Sequence, residues 1–354
     1  MTSVRDLIED PGYFAYKFNF DTEAVEFVSI ADGDLSNATW LNRDALDSNQ
    51  APLAVPLSQL LNALNDLGAT IPKSKVHFIF HTAYCGSTFL SRCLDVKGFS
   101  QSLREPQLLL DAANAKRLQW QSASTKLDFR HLPSLAMRLL QKHALPDQTL
   151  IIKPINSVNN IIPELLQVNS RSKAVMLYTD ARNFLLSTLK KGEDARQTVR
   201  AMFDLLRCDF PHLSQLRITD VIHMSDLKVT LTLWRLQLEQ AEQMLKHFVP
   251  SNKMASLYAE TLIADPAGAL EAVNQFLELG LNGDVMQAIA TDDVRFQDAK
   301  NSQHQFSKEK RDATYEAIES FYGADLENGY RWLTNNNPAT SLTPTLTGGL
   351  NLVS

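Results

Sequence analysis

The segment that most constrains the fold of this chain is HFIFHTAYCGSTFLSRCLD, which runs from His77 to Asp95. It reads as a short apolar strand, a tight turn around Gly86 and a helix that begins near Ser87 and Thr88. Where a strand turns into a helix, the first backbone N–H groups are free and the helix dipole is positive, so the turn suits an anion such as phosphate. The same letters also fit a plain turn glycine followed by two helix-capping hydroxyl residues.

The Walker A pattern, G-x-x-x-x-G-K-[ST], is the obvious comparison for such a turn. In the register HTAYCGST, His81 takes the place of the first glycine and Ser87 the place of the lysine. Without that lysine, the loop lacks the charge that bridges the terminal phosphates of ATP or GTP, which disfavours a standard nucleoside triphosphatase. A nucleotide without a γ-phosphate fits the loop better.

Strand and helix patterns alternate through the middle of the chain. The apolar runs TLIIKP, KAVMLYT and MASLYAETL predict three more buried strands, with helical spacing between or after them. This alternation predicts an α/β fold with a central parallel sheet and helical insertions.

Composition divides the chain into three predicted parts. Residues 1–72 are expected to form a small N-terminal β-hairpin and helix extension, because aromatic and β-branched residues alternate and an amphipathic stretch follows. Residues 73–335 are expected to form the main domain. Residues 336–354 are rich in Asn, Thr, Pro and Gly and predict a loose tail.

Charge and cysteine content exclude several classes of protein. The formal net charge is −6, so a general nucleic-acid binder with a strongly basic surface is not expected. The three cysteines are too few and too irregular for a disulfide framework or a Cys-ligated zinc site, which favours a reducing compartment. No stretch approaches the roughly 20 apolar residues that cross a bilayer. The sequence predicts a cytoplasmic protein without a membrane span and leaves its oligomeric state open.

Several segments, taken in order over roughly residues 76–300, resemble the sulfotransferases. The turn is similar to the family's phosphate loop, F-x-x-x-x-x-[RK]-S/C-G-[ST]-[ST]. The segments LREPQ and LIIKP are similar to a Glu-containing segment and a lysine-ending strand of the tyrosylprotein sulfotransferases. Three later segments resemble the family's 3′-phosphate segment R-D-x-R-x-x-x-x-S, its Trp-bearing helix and its Y-E-x-L-x-x-D-P strand and helix: MLYTDARNFLLSTLKKG, LTLWRLQLEQA and SLYAETLIADPAGALEAVNQFLEL.

The resemblance implies a P-loop nucleoside triphosphate hydrolase-like three-layer fold that uses 3′-phosphoadenylyl sulfate as donor and requires no metal. A sulfuryl group would move to a hydroxyl or amine acceptor that the sequence does not identify. By position, Glu105 is implied as the base and Lys153 as the residue that stabilises the transferring group. The implied donor-binding residues are the 5′-phosphosulfate loop and the 3′-phosphate segment, with one residue in the place of the family's basic C-terminal segment: Tyr84, Cys85, Gly86, Ser87, Thr88, Phe89, Thr179, Arg182, Ser187 and Lys300.

Two positions depart from the family pattern. Tyr84 stands where the family's loop has Lys or Arg, and a phenol supplies a hydrogen bond but no charge at neutral pH. Thr179 stands where the 3′-phosphate segment has its first Arg. Losing a charge-assisted pair to phosphate costs about 1.5–3 kcal/mol unless another cation replaces it. The candidates for that replacement are Arg92, Arg104, Lys153, Arg182, Lys190, Lys191, Arg196 and Arg200.

Each singled-out residue also has a structural interpretation. Glu105 fits an exposed carboxylate at a turn, Lys153 fits a lysine that snorkels at a strand end, and His81, a candidate for the pocket, fits a strand-end hydrogen-bonding residue. Two alternative functions remain: a non-catalytic or repurposed nucleotide-binding protein on the same scaffold, and a P-loop kinase for a small metabolite.

Overall fold

The computed structural model describes residues 2–30, 35, 41, 51–67, 75–145, 147–213, 215–290 and 307–350. The strands are β1 (Tyr13–Asn19), β2 (Ala24–Ser29), β3 (Leu53–Pro56), β4 (Val76–His81), β5 (Ser100–Arg104), β6 (Thr149–Lys153), β7 (Ala174–Tyr178) and β8 (Met254–Tyr258). The first helices are α1 (Val4–Glu9), α2 (Leu57–Leu67), α3 (Ser87–Cys93), α4 (Gln107–Arg117), α5 (Leu132–Leu140), α6 (Ile162–Val168) and α7 (Ala181–Lys190). The later helices are α8 (Glu193–Leu206), α9 (Ile218–Ile222), α10 (Asp226–Phe248), α11 (Ala259–Ala264), α12 (Pro266–Leu277), α13 (Gly283–Ala290) and α14 (Lys308–Asn336).

A five-stranded sheet with the order β5-β6-β4-β7-β8 confirms the predicted α/β fold with a central parallel sheet. Strand β6 pairs in parallel with both β4 and β5, and in the second pairing Arg104 lies opposite Lys153. Every residue of β4, β6 and β7 is buried. Continuous burial explains why these strands are short apolar runs rather than alternating ones, as expected when helices cover both faces of a sheet.

Four of these five strands agree with the predicted apolar runs, whereas β5 was not predicted. Its residues are Ser100, Gln101, Ser102, Leu103 and Arg104, and polar side chains dominate it. The Ser91 and Ser102 hydroxyl groups lie 2.6 Å apart, and Ser100 Oγ donates to the Leu94 carbonyl oxygen at 2.6 Å. Because Ser100 and Ser102 find hydrogen-bond partners in α3 and just after it, they are buried in a strand that has no apolar pattern.

The chain divides into two compact units. The first contains Met1–Phe80 and Leu90–Ala174, and the second contains His81–Phe89 and Val175–Ser354. The predicted boundary near residue 72 lies outside the described residues. None of the helices in the described ranges combines the length and the apolar character that a bilayer span requires.

In the first unit, β1, β2 and β3 form an antiparallel sheet near the N-terminus. Asp111 on α4 accepts a hydrogen bond from the Phe18 N–H of β1 at 2.9 Å. The Glu23 carboxylate, at the turn between β1 and β2, accepts hydrogen bonds from residues 122–124. Hydrogen bonds to the carboxylates of Asp111 and Glu23 thus connect the N-terminal sheet to the rest of its unit.

In the second unit, side-chain caps begin the helices where the sequence pattern placed them. Asp265 accepts from the Gly268 N–H at 3.0 Å and Pro266 occupies the first turn of α12, as predicted. Part of the segment expected to be a loose tail lies along β8: the Ser256 N–H donates to the Gly348 carbonyl oxygen at 2.8 Å, and Leu350 N–H to the Ser256 carbonyl oxygen at 3.0 Å. Backbone pairing of this kind needs no apolar pattern, so composition alone did not reveal it.

Candidate functional site

The loop between β4 and α3 belongs to the second unit and contains two residues in left-handed conformation. Tyr84 has φ +58° and Gly86 has φ +78°. Gly86 is exposed, and a Cβ atom built on it would meet no heavy atom within 4 Å. Within the described part of the chain, the backbone N–H groups of Gly86, Ser87 and Thr88 have no protein acceptor. Such a loop leaves donors and open space next to its glycine.

Three contacts hold the loop from inside. The Ala83 N–H donates to Gln237 Oε1 on α10 at 2.7 Å. The Cys85 thiol is buried and donates to the carbonyl oxygens of Thr82, at 2.8 Å, and Leu177, at 3.6 Å. These contacts assign Cys85 to loop packing rather than to nucleophilic chemistry, because its sulfur is turned away from solvent.

His81 lies at the end of β4 and is 5% exposed. Its Nδ1 lies 2.8 Å from the Thr82 carbonyl oxygen, which it reaches only as a donor. The ring therefore takes part in shaping the start of the loop. Thr82 itself is fully buried, and its Oγ1 has no partner among the described residues.

Lys191, the residue that follows α7, lies beside Tyr84, where the loop departs from the family pattern. Lys191 Nζ is 4.4 Å from the centroid of the Tyr84 ring, and the same ring meets Phe184 edge-on at 5.3 Å between centroids. Burial raises the pKa of Tyr84, so its phenol is neutral near pH 7. Lys191, one of the eight replacement candidates, thus places its ammonium group beside residue 84.

The segment expected to bind a 3′-phosphate forms the end of β7 and the start of α7. Asp180 caps α7 by accepting from the Asn183 N–H at 2.7 Å, and it also accepts from the Tyr258 hydroxyl group. Thr179 is 1% exposed, and its carbonyl oxygen accepts from Trp234 Nε1 at 2.9 Å. Thr179 is therefore a buried residue whose backbone binds α10, and its side chain is not exposed.

Both remaining residues of that segment contact α14. Arg182 donates from Nε and Nη2 to the two carboxylate oxygens of Glu319, each at 2.6 Å. These hydrogen bonds raise the pKa of Arg182 above its ordinary value. Ser187 Oγ lies 2.5 Å from the Tyr315 hydroxyl group. Neither Glu319 nor Tyr315 was singled out from the sequence, since both lie in a long helix of mixed polar pattern.

In the first unit, Glu105 and Lys153 form an ion pair, although 48 residues separate them along the chain. Lys153 ends β6 and is 1% exposed, whereas the Glu105 side chain is 17% exposed. The Glu105 N–H also donates to the Lys153 carbonyl oxygen at 2.7 Å, and Glu105 has φ +52°. Parallel pairing of β5 and β6 brings the two strand ends together and so assembles the pair that the sequence singled out.

Lys300 lies outside the described residues. Gln237 is the loop-positioning residue that the sequence analysis missed, and its signal is an amide among the buried residues of α10, three residues after Trp234. Within the described ranges, no group of three or more His, Cys, Asp or Glu side chains is placed to hold a metal ion.

No protein-family model and no curated protein matches the sequence. Among solved structures, a mouse sulfotransferase complexed with PAP aligns with 78% of this chain and 89% of its own, at 11% identity and a TM-score of 0.41. The sulfotransferase domain from the curacin biosynthetic pathway aligns with 71% of this chain and 98% of its own, at 14% identity and a TM-score of 0.43. The sulfotransferase STF9 from Mycobacterium avium aligns with 91% of this chain and 97% of its own, at 11% identity and a TM-score of 0.39.

Proposed function

We propose that this protein is a sulfotransferase-like enzyme that moves a sulfuryl group from 3′-phosphoadenylyl sulfate to a hydroxyl or amine acceptor. The observation that carries the proposal is the loop between β4 and α3, where left-handed Tyr84 and Gly86 precede free backbone N–H groups. The order of the sequence segments that resemble sulfotransferases supports the choice of donor over other phosphates.

The loop has the chemistry that a 5′-phosphosulfate requires. Three backbone N–H groups, from Gly86 to Thr88, are available to anionic oxygens, and the buried Thr82 hydroxyl group has no partner in the described part of the chain. Lys191 adds a positive charge at the ring of Tyr84. Fixed donors and a nearby cation stabilise the charge that develops on the leaving phosphate oxygens during transfer.

The reaction forms a bond from the acceptor oxygen or nitrogen to sulfur and breaks the bond from sulfur to the 5′-phosphate oxygen. The proton of the acceptor needs a base, and we assign that role to the Glu105 carboxylate. The Lys153 ammonium group, held to Glu105 by its ion pair, is assigned to electrostatic stabilisation of the transferring group.

A second candidate is a nucleotide-binding protein that performs no transfer. It is favoured by the neutral Tyr84 in the loop and by the buried Thr179 in the 3′-phosphate segment. Binding of adenosine 3′,5′-bisphosphate without transfer to any member of an acceptor panel would select this alternative.

The test is calorimetric titration of the full chain with adenosine 3′,5′-bisphosphate, with AMP and Mg-ATP as comparison ligands. Gly86→Val is expected to abolish binding, because its side chain would extend into the open space at the loop. Gly98→Val is the matched control: Gly98 is also exposed and left-handed, with φ +89° and open space at its Cβ, but it lies outside the loop.

Selective binding of the bisphosphate by the wild type and by Gly98→Val, but not by Gly86→Val, supports the proposal. Unchanged binding in Gly86→Val would overturn the assignment of the loop. Tighter binding of Mg-ATP than of adenosine 3′,5′-bisphosphate and AMP would point instead to a small-molecule kinase.

A further inference from the structure

Helix α14 places two of its side chains on the segment assigned to the donor's 3′-phosphate. Glu319 binds the guanidinium group of Arg182 through two parallel hydrogen bonds of 2.6 Å, and Tyr315 lies within hydrogen-bond distance of Ser187. Near Tyr315, Arg311 donates to both carboxylate oxygens of Glu260, each at 2.8 Å. The contact with α7 is therefore part of an ordered helix packing.

The Glu319 carboxylate meets Arg182 in the same planar, two-pronged arrangement that a phosphate adopts with arginine. It occupies the Nε and Nη2 edge of the guanidinium group and compensates its charge. An incoming phosphate at Arg182 must either displace Glu319 or bind close to another negative charge. Both routes weaken its binding.

We propose that Glu319 is a specificity-determining residue that competes with the nucleotide's 3′-phosphate for Arg182. This inference rests on the proposed function, because it takes Arg182 as the ligand of a 3′-phosphate. A nucleotide that carries only a 5′-phosphate does not meet this competition. Glu319 therefore narrows the difference in affinity between adenosine 3′,5′-bisphosphate and AMP.

The ion pair is accessible enough for a ligand to displace it. The Arg182 side chain is 47% exposed and the Glu319 side chain is 33% exposed. Ion pairs with this exposure are weak, since water and salt screen the charges. Glu319 thus reduces the affinity for a 3′-phosphate without excluding it.

The experiment compares Glu319→Gln with wild type in titrations of adenosine 3′,5′-bisphosphate and of AMP. The substitution keeps the size of the side chain and removes its charge. The expected result is bisphosphate binding that is about three- to tenfold tighter, which is the range of a displaced exposed ion pair plus relieved repulsion, with unchanged AMP binding. Glu316→Gln is the matched control, because Glu316 is exposed on the same helix.

A double-mutant cycle with Arg182→Gln tests whether Glu319 changes bisphosphate affinity through Arg182. If Glu319 acts by occupying Arg182, then Glu319→Gln has no effect on bisphosphate affinity once Arg182 is replaced. An equal gain in both backgrounds, or an equal gain from Glu316→Gln, would show a general charge effect and overturn the inference.

The failure of this inference is distinguishable from failure of the proposed function. Wild-type binding of the bisphosphate that Glu319→Gln leaves unchanged overturns the role of Glu319 alone. Absence of nucleotide binding in both wild type and Glu319→Gln overturns the proposed function and this inference together. Binding that appears only in Glu319→Gln supports the inference.

Discussion

Lys191 Nζ lies 4.4 Å from the centroid of the Tyr84 ring. The loop that resembles a sulfotransferase phosphate loop has a neutral side chain where that family has a basic one, and Lys191, the residue after α7, places an ammonium group next to that side chain. A cation held over an aromatic face gains about 0.5–1 kcal/mol at exposed sites. This contact places the ammonium group of an exposed lysine over the ring of Tyr84.

We predict that Lys191→Gln weakens the binding of adenosine 3′,5′-bisphosphate about five- to tenfold, which corresponds to about 1 kcal/mol for a lost charge-assisted contact. Lys190→Gln removes the same charge from the preceding exposed residue of α7 and is expected to change affinity by less than about twofold. Calorimetric titration at one fixed salt concentration measures both. Equal losses in the two variants would argue against a specific role of Lys191.

Breaking the Glu105–Lys153 ion pair is expected to lower stability. Glu105→Gln leaves the ammonium group of a residue that is 1% exposed without a carboxylate partner, which we expect to cost about 3 kcal/mol. Glu105→Gln combined with Lys153→Met removes both charges of the pair, so most of that stability should return. Urea denaturation measures the free energy of unfolding of each variant.

The same variants separate stability from chemistry. The double variant is expected to be folded and inactive, because the assigned base and its cation are both absent. A stable double variant that keeps wild-type sulfuryl transfer would remove both residues from the mechanism.

We predict that the buried carboxyl group of Asp111 lowers the free energy of unfolding as pH rises through the weakly acidic range. Burial raises the pKa of its carboxyl group from 3.8 to about 6. The folded state therefore binds the proton more tightly than the unfolded state. The free energy of unfolding should fall by about 3 kcal/mol between about pH 4 and pH 6 on account of this group.

Asp111→Asn should remove this pH dependence and raise stability near pH 8, since an amide still accepts from the Phe18 N–H without a buried charge. Urea denaturation at several pH values measures the slope. A slope between about pH 4 and pH 6 that is the same in Asp111→Asn and wild type would contradict the assignment.

Two glycines of α14 are expected to respond to alanine with opposite signs. At Gly329, a Cβ atom would lie 2.6 Å from Leu227 Cδ2, so Gly329→Ala should lower stability by about 1 kcal/mol. At Gly323, a Cβ atom would meet no heavy atom within 4 Å, so Gly323→Ala should raise stability by about 0.5–1 kcal/mol through helix propensity. Thermal unfolding of both variants tests the packing of α14. Stabilisation by both substitutions would contradict it.

The sequence predicted the parts of the fold that local pattern determines. Continuous apolar runs marked β4, β6, β7 and β8, and helical spacing with a capping aspartate and a first-turn proline marked α12. Strand β5 was not predicted because its buried hydroxyl groups are satisfied by partners outside the strand, the Ser91 hydroxyl group and the Leu94 carbonyl oxygen. The pairing of the C-terminal segment with β8 was not predicted, because backbone hydrogen bonds form it and they do not depend on side-chain pattern. Neither interaction leaves a periodic signal in the letters.

The sequence by itself determined which residue types the candidate site has: a glycine turn with hydroxyl residues, a carboxylate before a proline, a lysine at a strand end and an arginine near a helix start. Only the tertiary structure decided how these residues are partnered. Pairing of β5 with β6 places Glu105 next to Lys153. The backbone just after α7 places Lys191 over the ring of Tyr84. The packing of α14 places Glu319 next to Arg182. The physical reason is that a charged side chain takes whichever partner the packed backbone places within a few ångströms. Distance along the chain does not decide that choice.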